Sequence, residues 1–161
     1  MNTIIIGLGN PILGDDGIGW KVVEEFIKQK RYAESTVTVD CMSVGGLTLM
    51  ERMVGFRRAI LIDALQTGNF TPGTVIKLRL EDVSEQRAGH IASAHDVNLM
   101  TAVQLGREMG AQLPDMIFVI GIEAHRVYDI SEDLSPEIRS AIPHAVQYIS
   151  ELLNEIDSQE E

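Results

Sequence analysis

The stretch Thr3-Ile4-Ile5-Ile6-Gly7-Leu8-Gly9-Asn10-Pro11-Ile12-Leu13-Gly14-Asp15-Asp16-Gly17-Ile18-Gly19 reads as a buried strand, a glycine-bearing loop and the start of a helix. Thr3 to Gly7 is β-branched and almost without polar residues, as in a strand covered on both faces. From about Ile18 to Lys30, Ile18, Val22, Val23 and Phe26 recur at helical spacing and give one apolar face. A strand, a glycine loop and a helix in that order open an α/β sheet.

The rest of the chain continues the alternation. Thr36 to Cys41 is rich in β-branched residues and predicts a second strand, and Leu47 to Val54 a short helix. Ala59-Ile60-Leu61-Ile62-Asp63 predicts a central strand ending in a carboxylate. Only about ten residues, with Thr71-Pro72-Gly73 among them, separate it from the next strand, Thr74 to Leu80. That is short for a parallel crossover, so this fourth strand is expected to run antiparallel. Asp96 to Met109 predicts a helix with an acid at its start and Gly110 as its stop, and Met116 to Ile122 a fifth strand. Ser135-Pro136-Glu137 opens a last helix. Its stripe is Ile138, Ile142, Ala145, Val146, Ile149, Leu152 and Ile156, and Pro143 is expected to kink it. The expected architecture is a three-layer α/β fold: a five-stranded, mostly parallel twisted sheet with one antiparallel strand and helices on both faces.

The 161 residues suit one domain, residues 1–161, with an acidic tail from about residue 155 that has the composition of a disordered end. Twenty-four acidic against thirteen basic residues, a net charge of −11, argue against a nucleic-acid surface. No apolar run approaches the roughly 20 residues that span a bilayer, so no membrane partner is expected. Met1 leads directly into the first strand without a signal-like segment, and Cys41 is the only cysteine; together they suggest a cytoplasmic protein.

Three residues stand out as chemistry. The loop after the first strand lacks the Gly-Lys-Ser/Thr of a phosphate loop. Its glycines are too far apart for a dinucleotide fingerprint, and Asp15-Asp16 at the helix start would repel a phosphate. Asp15 or Asp16 either caps the helix or reaches into a site. Asp63 sits at the carboxyl end of a strand beside the expected topological switch point, where open α/β sheets place their ligands. On its own it could equally bond neighbouring backbone N–H groups. His95, in Ala92-Ser93-Ala94-His95-Asp96, precedes a helix in a loop expected to return toward the sheet. Two carboxylates and an imidazole form a plausible open site for nickel or zinc. Asp96 could orient the imidazole or cap the helix. Cys41 reads as a strand-end thiol without a base, and His90, His125 and His144 have no ligand spacing.

Taken together, Gly7 to Gly19, Ile62-Asp63-Ala64, Pro72-Gly73-Thr74-Val75, Ser93-Ala94-His95-Asp96 and Val119-Ile120-Gly121-Ile122-Glu123 resemble the hydrogenase maturation proteases over nearly the whole chain. The resemblance implies an endopeptidase that trims the C-terminal extension of a nickel-iron hydrogenase large-subunit precursor. By position it assigns Asp16, Asp63 and His95 as metal-binding and catalytic residues. Some relatives carry Glu where this chain has Asp16. A Pro commonly follows the Gly-Ile-Glu segment, where this chain has Ala124-His125, a departure that bears on substrate preference. The nickel is expected to arrive with the precursor, and zinc or cadmium could take its place in vitro. Two rival readings are a non-catalytic module that checks nickel loading and a peptidyl-tRNA hydrolase-like esterase. The second shares the opening Gly-Leu-Gly-Asn-Pro but lacks a His soon after the Asn and a basic surface.

Overall fold

A computed structural model of the chain describes residues 2–83 and 98–157. Five strands form one sheet: β1 (Thr3–Leu8), β2 (Val37–Met42), β3 (Arg58–Leu65), β4 (Val75–Arg79) and β5 (Met116–Glu123). Their spatial order is β2-β1-β3-β5-β4. All neighbours are parallel except β4, which runs antiparallel to β5, with Val75 opposite Ile122. The short connection to β4 turns back at Thr71-Pro72-Gly73. There Thr74 N–H donates to the Thr71 carbonyl at 3.0 Å and Gly73 adopts φ +90°, a left-handed conformation that suits glycine.

Side-chain alternation along the strands divides the core in two. Ile5, Ile60, Ile62, Ile120 and Ile122 pack with α1 (Ile18–Gln29) and the C-terminal helix on one face. Ile4, Ile6, Leu8, Leu61 and Val119 pack with α2 (Gly46–Arg52) and α3 (Leu99–Glu108) on the other. Every residue of β1 and of β3 is buried, as expected for strands covered on both faces. At about 1.5–3 kcal/mol for each fully buried aliphatic side chain, this double-sided burial is the main term holding the sheet to its helices.

Several elements differ from their sequence-based expectation. β3 does not stop at Asp63 but runs two residues further, because Ala64 and Leu65 stay paired with Ile122 and Glu123 of β5. The last helix is two: α4 (Pro136–Arg139) and α5 (Ile142–Asp157). Pro143 therefore sits in the first turn of α5, where its missing N–H has no intrahelical partner to lose, and it starts a helix instead of kinking one. α5 runs to Asp157, so residues 155–157 are helical where the acidic tail was expected. Asn98 caps α3, its side chain accepting from Thr101 N–H at 2.9 Å; the start expected at Asp96 lies outside the described residues.

Two topological facts place the site. The chain passes from β1 through α1 to β2 on one side and returns to β3 on the other, so the sheet's switch point lies between the carboxyl ends of β1 and β3. α3 ends at the opposite, amino edge. There Ala111 N–H bonds Gly106, Gly55 N–H bonds Gln112, and Asp115 N–H bonds Arg57 just before β3. Ten helical residues span about 15 Å, comparable to the climb of β3 from Arg58 to Asp63. The N-terminus of α3, with Asn98, therefore stands toward the carboxyl edge.

Candidate functional site at the carboxyl edge of the sheet

The loop leaving β1 folds back on itself through a close backbone approach. Gly9 adopts φ +125°, and a Cβ there would overlap the Asp16 carbonyl oxygen, so only glycine fits. Ser43 Oγ donates to the Gly9 carbonyl at 2.9 Å from the loop after β2. The chain then enters a 3-10 turn, Gly14–Gly17, whose four residues are all buried.

The two adjacent acids of this turn do different work, and neither caps α1. The N-cap position of that helix is Gly17, which makes no side-chain capping bond. Asp15 is fully buried, and its carboxylate accepts Ser135 N–H at 2.7 Å and Ser135 Oγ–H at 2.8 Å. It thereby ties the turn to the segment before α4. Asp16 is also buried, and its Oδ2 accepts the Asn10 backbone N–H at 2.7 Å across the loop. Hydrogen bonds to an ionised acceptor are the stronger kind, so both carboxylates are held in place. Ser135, expected as a helix cap, spends its hydroxyl on Asp15 instead.

Asp63 is fully buried inside β3, in register with Gly121 of β5. Alternation with Leu61 puts it on the face covered by α2 and α3, the side on which Asn98 stands. The turn carrying Asp16 packs against β3. That contact depends on Gly19, where a Cβ would overlap the carbonyl oxygens of both Leu8 and Ile62. The structure therefore brings Asp16, in the turn after β1, and Asp63, in the neighbouring strand β3, to the same edge. His95, Asp96 and His90 lie outside the described residues. Among the described residues no group of three His, Cys, Asp or Glu side chains gathers as a metal site.

Glu123, named in the sequence only as part of a motif, is a buried structural acid. Its carboxylate accepts Thr67 Oγ1–H at 2.9 Å, Gly68 N–H at 2.8 Å and Thr67 N–H at 3.3 Å, and so shapes the turn after β3. At the next position, where the resemblance leads to expect proline, Ala124 N–H donates to the Leu65 carbonyl at 2.8 Å. A proline has no such hydrogen, so the departure extends the β3–β5 pairing by one bond. Asn10 and the Asp15–Ser135 pair were missed by sequence reasoning. A separation of 120 residues leaves no spacing signal for the latter.

Cys41, in β2, has its thiol pushed up to about 11 by burial first, and then by the negative charges of Asp40 and Glu24. Both effects favour the protonated thiol near neutrality, the less nucleophilic form. His125 is half exposed, with Nε2 4.0 Å from Glu137, and His144 packs on Tyr148 at 4.5 Å between ring centres. Neither approaches the carboxylate pair through any described contact. No helix among the described residues is long and apolar enough to cross a membrane.

Comparison with known proteins agrees with this architecture. The family model described as "HycI: Hydrogenase maturation protease" matches residues 20–152, more than half of the chain. The match begins just after the loop that carries Asp16. The "Hydrogenase 2 maturation protease" of Escherichia coli K12 is 28% identical over 138 residues, covering 86% of this chain and 78% of that protein. The "Hydrogenase expression/formation protein HoxM" of Cupriavidus necator is 25% identical over 151 residues, 94% of this chain and 73% of its own length. Among solved structures, the hydrogenase maturating endopeptidase HybD from E. coli superposes with a TM-score of 0.78. It is 24% identical and covers 96% of this chain and 93% of its own, a likeness that carries the fold.

Proposed function

We propose, since this chain belongs to the hydrogenase maturation protease family, that it is an endopeptidase removing the C-terminal extension of a nickel-iron hydrogenase large-subunit precursor after recognising its installed nickel. The observation that carries this reading is the convergence of Asp16 and Asp63, both buried, at the switch point between β1 and β3. Two carboxylates at one edge are oxygen donors of the kind that bind a divalent ion. The Asn10 N–H orients Asp16 for this role. The third donor in this reading is His95, taken from the family motif Ser93-Ala94-His95-Asp96. Carboxylate and imidazole donors suit a borderline ion such as nickel.

In this scheme the nickel belongs to the substrate. Asp16, Asp63 and His95 would hold it against the scissile peptide, where it would supply polarisation of the carbonyl or activation of a water. The protein's own contribution is a preformed pair of acids, one of them available as a general base toward a water. Burial and the charges of Asp40 and Glu24 disfavour the Cys41 thiolate, so this reading gives Cys41 no part in the reaction.

Incubation of the protein with nickel-loaded and nickel-free precursor, followed by mass analysis of the precursor, tests the proposal. Cleavage of the loaded form alone, abolished by Asp16→Asn and by Asp63→Asn, is the expected result. Equal cleavage of both forms would overturn the nickel reading. A nickel-dependent complex in which the precursor keeps its full mass would establish a checking module in place of a protease.

A further inference from the structure

The loop between β5 and α4 is bound back onto the loop after β1. Ser131 N–H donates to the Ile12 carbonyl at 3.0 Å, and Gly14 N–H donates to the Ser131 carbonyl at 2.8 Å, a short ladder beside the turn that carries Asp15 and Asp16. The two loops joined by this ladder carry large apolar side chains that face solvent: Ile12 at 52% in one, and Tyr128 at 80% and Ile130 at 88% exposure in the other. Single exposed apolar residues need no explanation, and Met109 at the end of α3 is one. Ile12 and Ile130 differ, because they come from loops 118 positions apart in sequence yet flank the backbone bridge that pairs Leu13 with Ser131.

Next to them lies a cavity of about 150 Å³ lined by Gly14, Arg126, Asp129, Asp133 and Ser135. A space of this size admits a benzene-sized group. Its charge is acidic. Arg126 is occupied by Asp129 at 2.7 Å, whereas Glu132 and Asp133 make no ion pair among the described residues. The carboxylate of Asp15 behind it is committed to Ser135.

We propose that this ledge and its acidic cavity are the docking surface for a segment of the precursor in which an apolar side chain lies close to a lysine or arginine. The apolar residue packs on Ile12, Tyr128 and Ile130. The cation enters the cavity toward Asp133, and the exposed Glu132, next to it in the chain, adds to the negative charge outside the cavity. The charge of the surface selects for a basic segment over an acidic one, in keeping with the protein's net charge of −11. The ladder also keeps the surface preorganised, which lowers the ordering cost of binding. Because the ledge adjoins the turn bearing Asp16, a segment docked there delivers the neighbouring peptide bond to the carboxylate edge. The inference rests on the precursor being the substrate, and binding is measured separately from cleavage for that reason.

The experiment titrates nickel-loaded large-subunit precursor into the wild-type protein, a Tyr128→Ser/Ile130→Ser variant, a Glu132→Gln/Asp133→Asn variant and a Met109→Ser control, calorimetrically, at low and high salt. Loss of the two apolar side chains is expected to weaken Kd by about tenfold or more, with the control unchanged. Loss of the two acids is expected to flatten the salt dependence. Binding of the apolar variant within about twofold of wild type, or absence of wild-type binding, overturns the ledge. Wild-type binding that depends on the ledge without any cleavage overturns the protease reading and leaves the ledge standing. Cleavage with unaltered Kd in the apolar variant does the reverse.

Discussion

Replacing Ser135 by alanine probes how the site's turn is held. Asp15 is fully buried and its two oxygens accept two hydrogens from Ser135, at 2.7 and 2.8 Å. A hydrogen bond to a charged partner contributes about 1.5–3 kcal/mol. Ser135→Ala removes the hydroxyl bond and keeps the backbone one, so it should cost about 1.5–3 kcal/mol. Asp15→Ala removes both acceptors and leaves two buried donors unsatisfied, so about 3–6 kcal/mol is expected. Against a total stability of about 5–15 kcal/mol, the second variant stands near the limit of folding and the first does not. At about 2–4 °C per kcal/mol for a chain of this size, Ser135→Ala should melt about 3–12 °C below wild type. The assay is urea unfolding of wild type, both single variants and the double variant. Once Asp15 is gone, the Ser135 hydroxyl has no partner to lose, so the double variant should be hardly less stable than Asp15→Ala. The resulting coupling energy is about 1.5–3 kcal/mol. A coupling below about 0.5 kcal/mol, with the two single losses simply adding, would refute the reasoning that these residues form one unit.

Further tests address neighbouring parts of the site. Gly19→Ala places a Cβ against the carbonyl oxygens of Leu8 and Ile62, so α1 must lift from β1 and β3; a loss of about 3 kcal/mol or more by urea unfolding is expected, and a loss below about 0.5 kcal/mol would contradict the close approach. Glu123→Ala strips three hydrogen bonds from the turn at Thr67 and Gly68. Amide hydrogen exchange at those two residues should accelerate about 10–100-fold, and unchanged protection would show that the turn is held by something else. The Cys41 thiol, raised to about 11 chiefly by burial, should react with iodoacetamide at a rate that climbs about tenfold per pH unit from pH 8 to 10. A plateau near the ordinary thiol value would contradict the shift. The same shift has a stability sign. The unfolded chain releases the thiol proton near 9.0 and the folded chain near 11, so Cys41 makes the fold lose stability as pH rises across that window, and Cys41→Ser should flatten the decline.

Much of this protein is determined by its sequence alone. Short, β-branched apolar runs such as Ile4–Ile6 and Ile60–Ile62 read as strands covered on both faces, the spacing of Ile18, Val22 and Phe26 reads as one buried side of a helix, and the structure has both. The short Thr71-Pro72-Gly73 connection leaves no room for a crossover helix and correctly marks β4 as antiparallel. Local patterns of this kind are legible because burial and turn geometry act within a few residues. Boundaries set by distant partners are not: β3 continues past Asp63 because β5 offers it two more pairing residues, and Pro143 begins α5 because the chain has already turned at Ser140 and Ala141.

The same division runs through the site. Asp15 and Asp16 are equivalent on paper, two acids in one turn, and nothing in their spacing separates them. Tertiary structure gives one to Ser135, 120 residues away, and turns the other back on Asn10 at the carboxyl edge with Asp63. The physical reason is that a buried carboxylate is stable only where donors meet it, and which donors meet it depends on the packing of the whole sheet. The sequence by itself carried the fold class and, through the family motif, pointed to Asp16; only the tertiary structure decided that Asp15 fastens the turn to Ser135 while Asp16 turns back on Asn10.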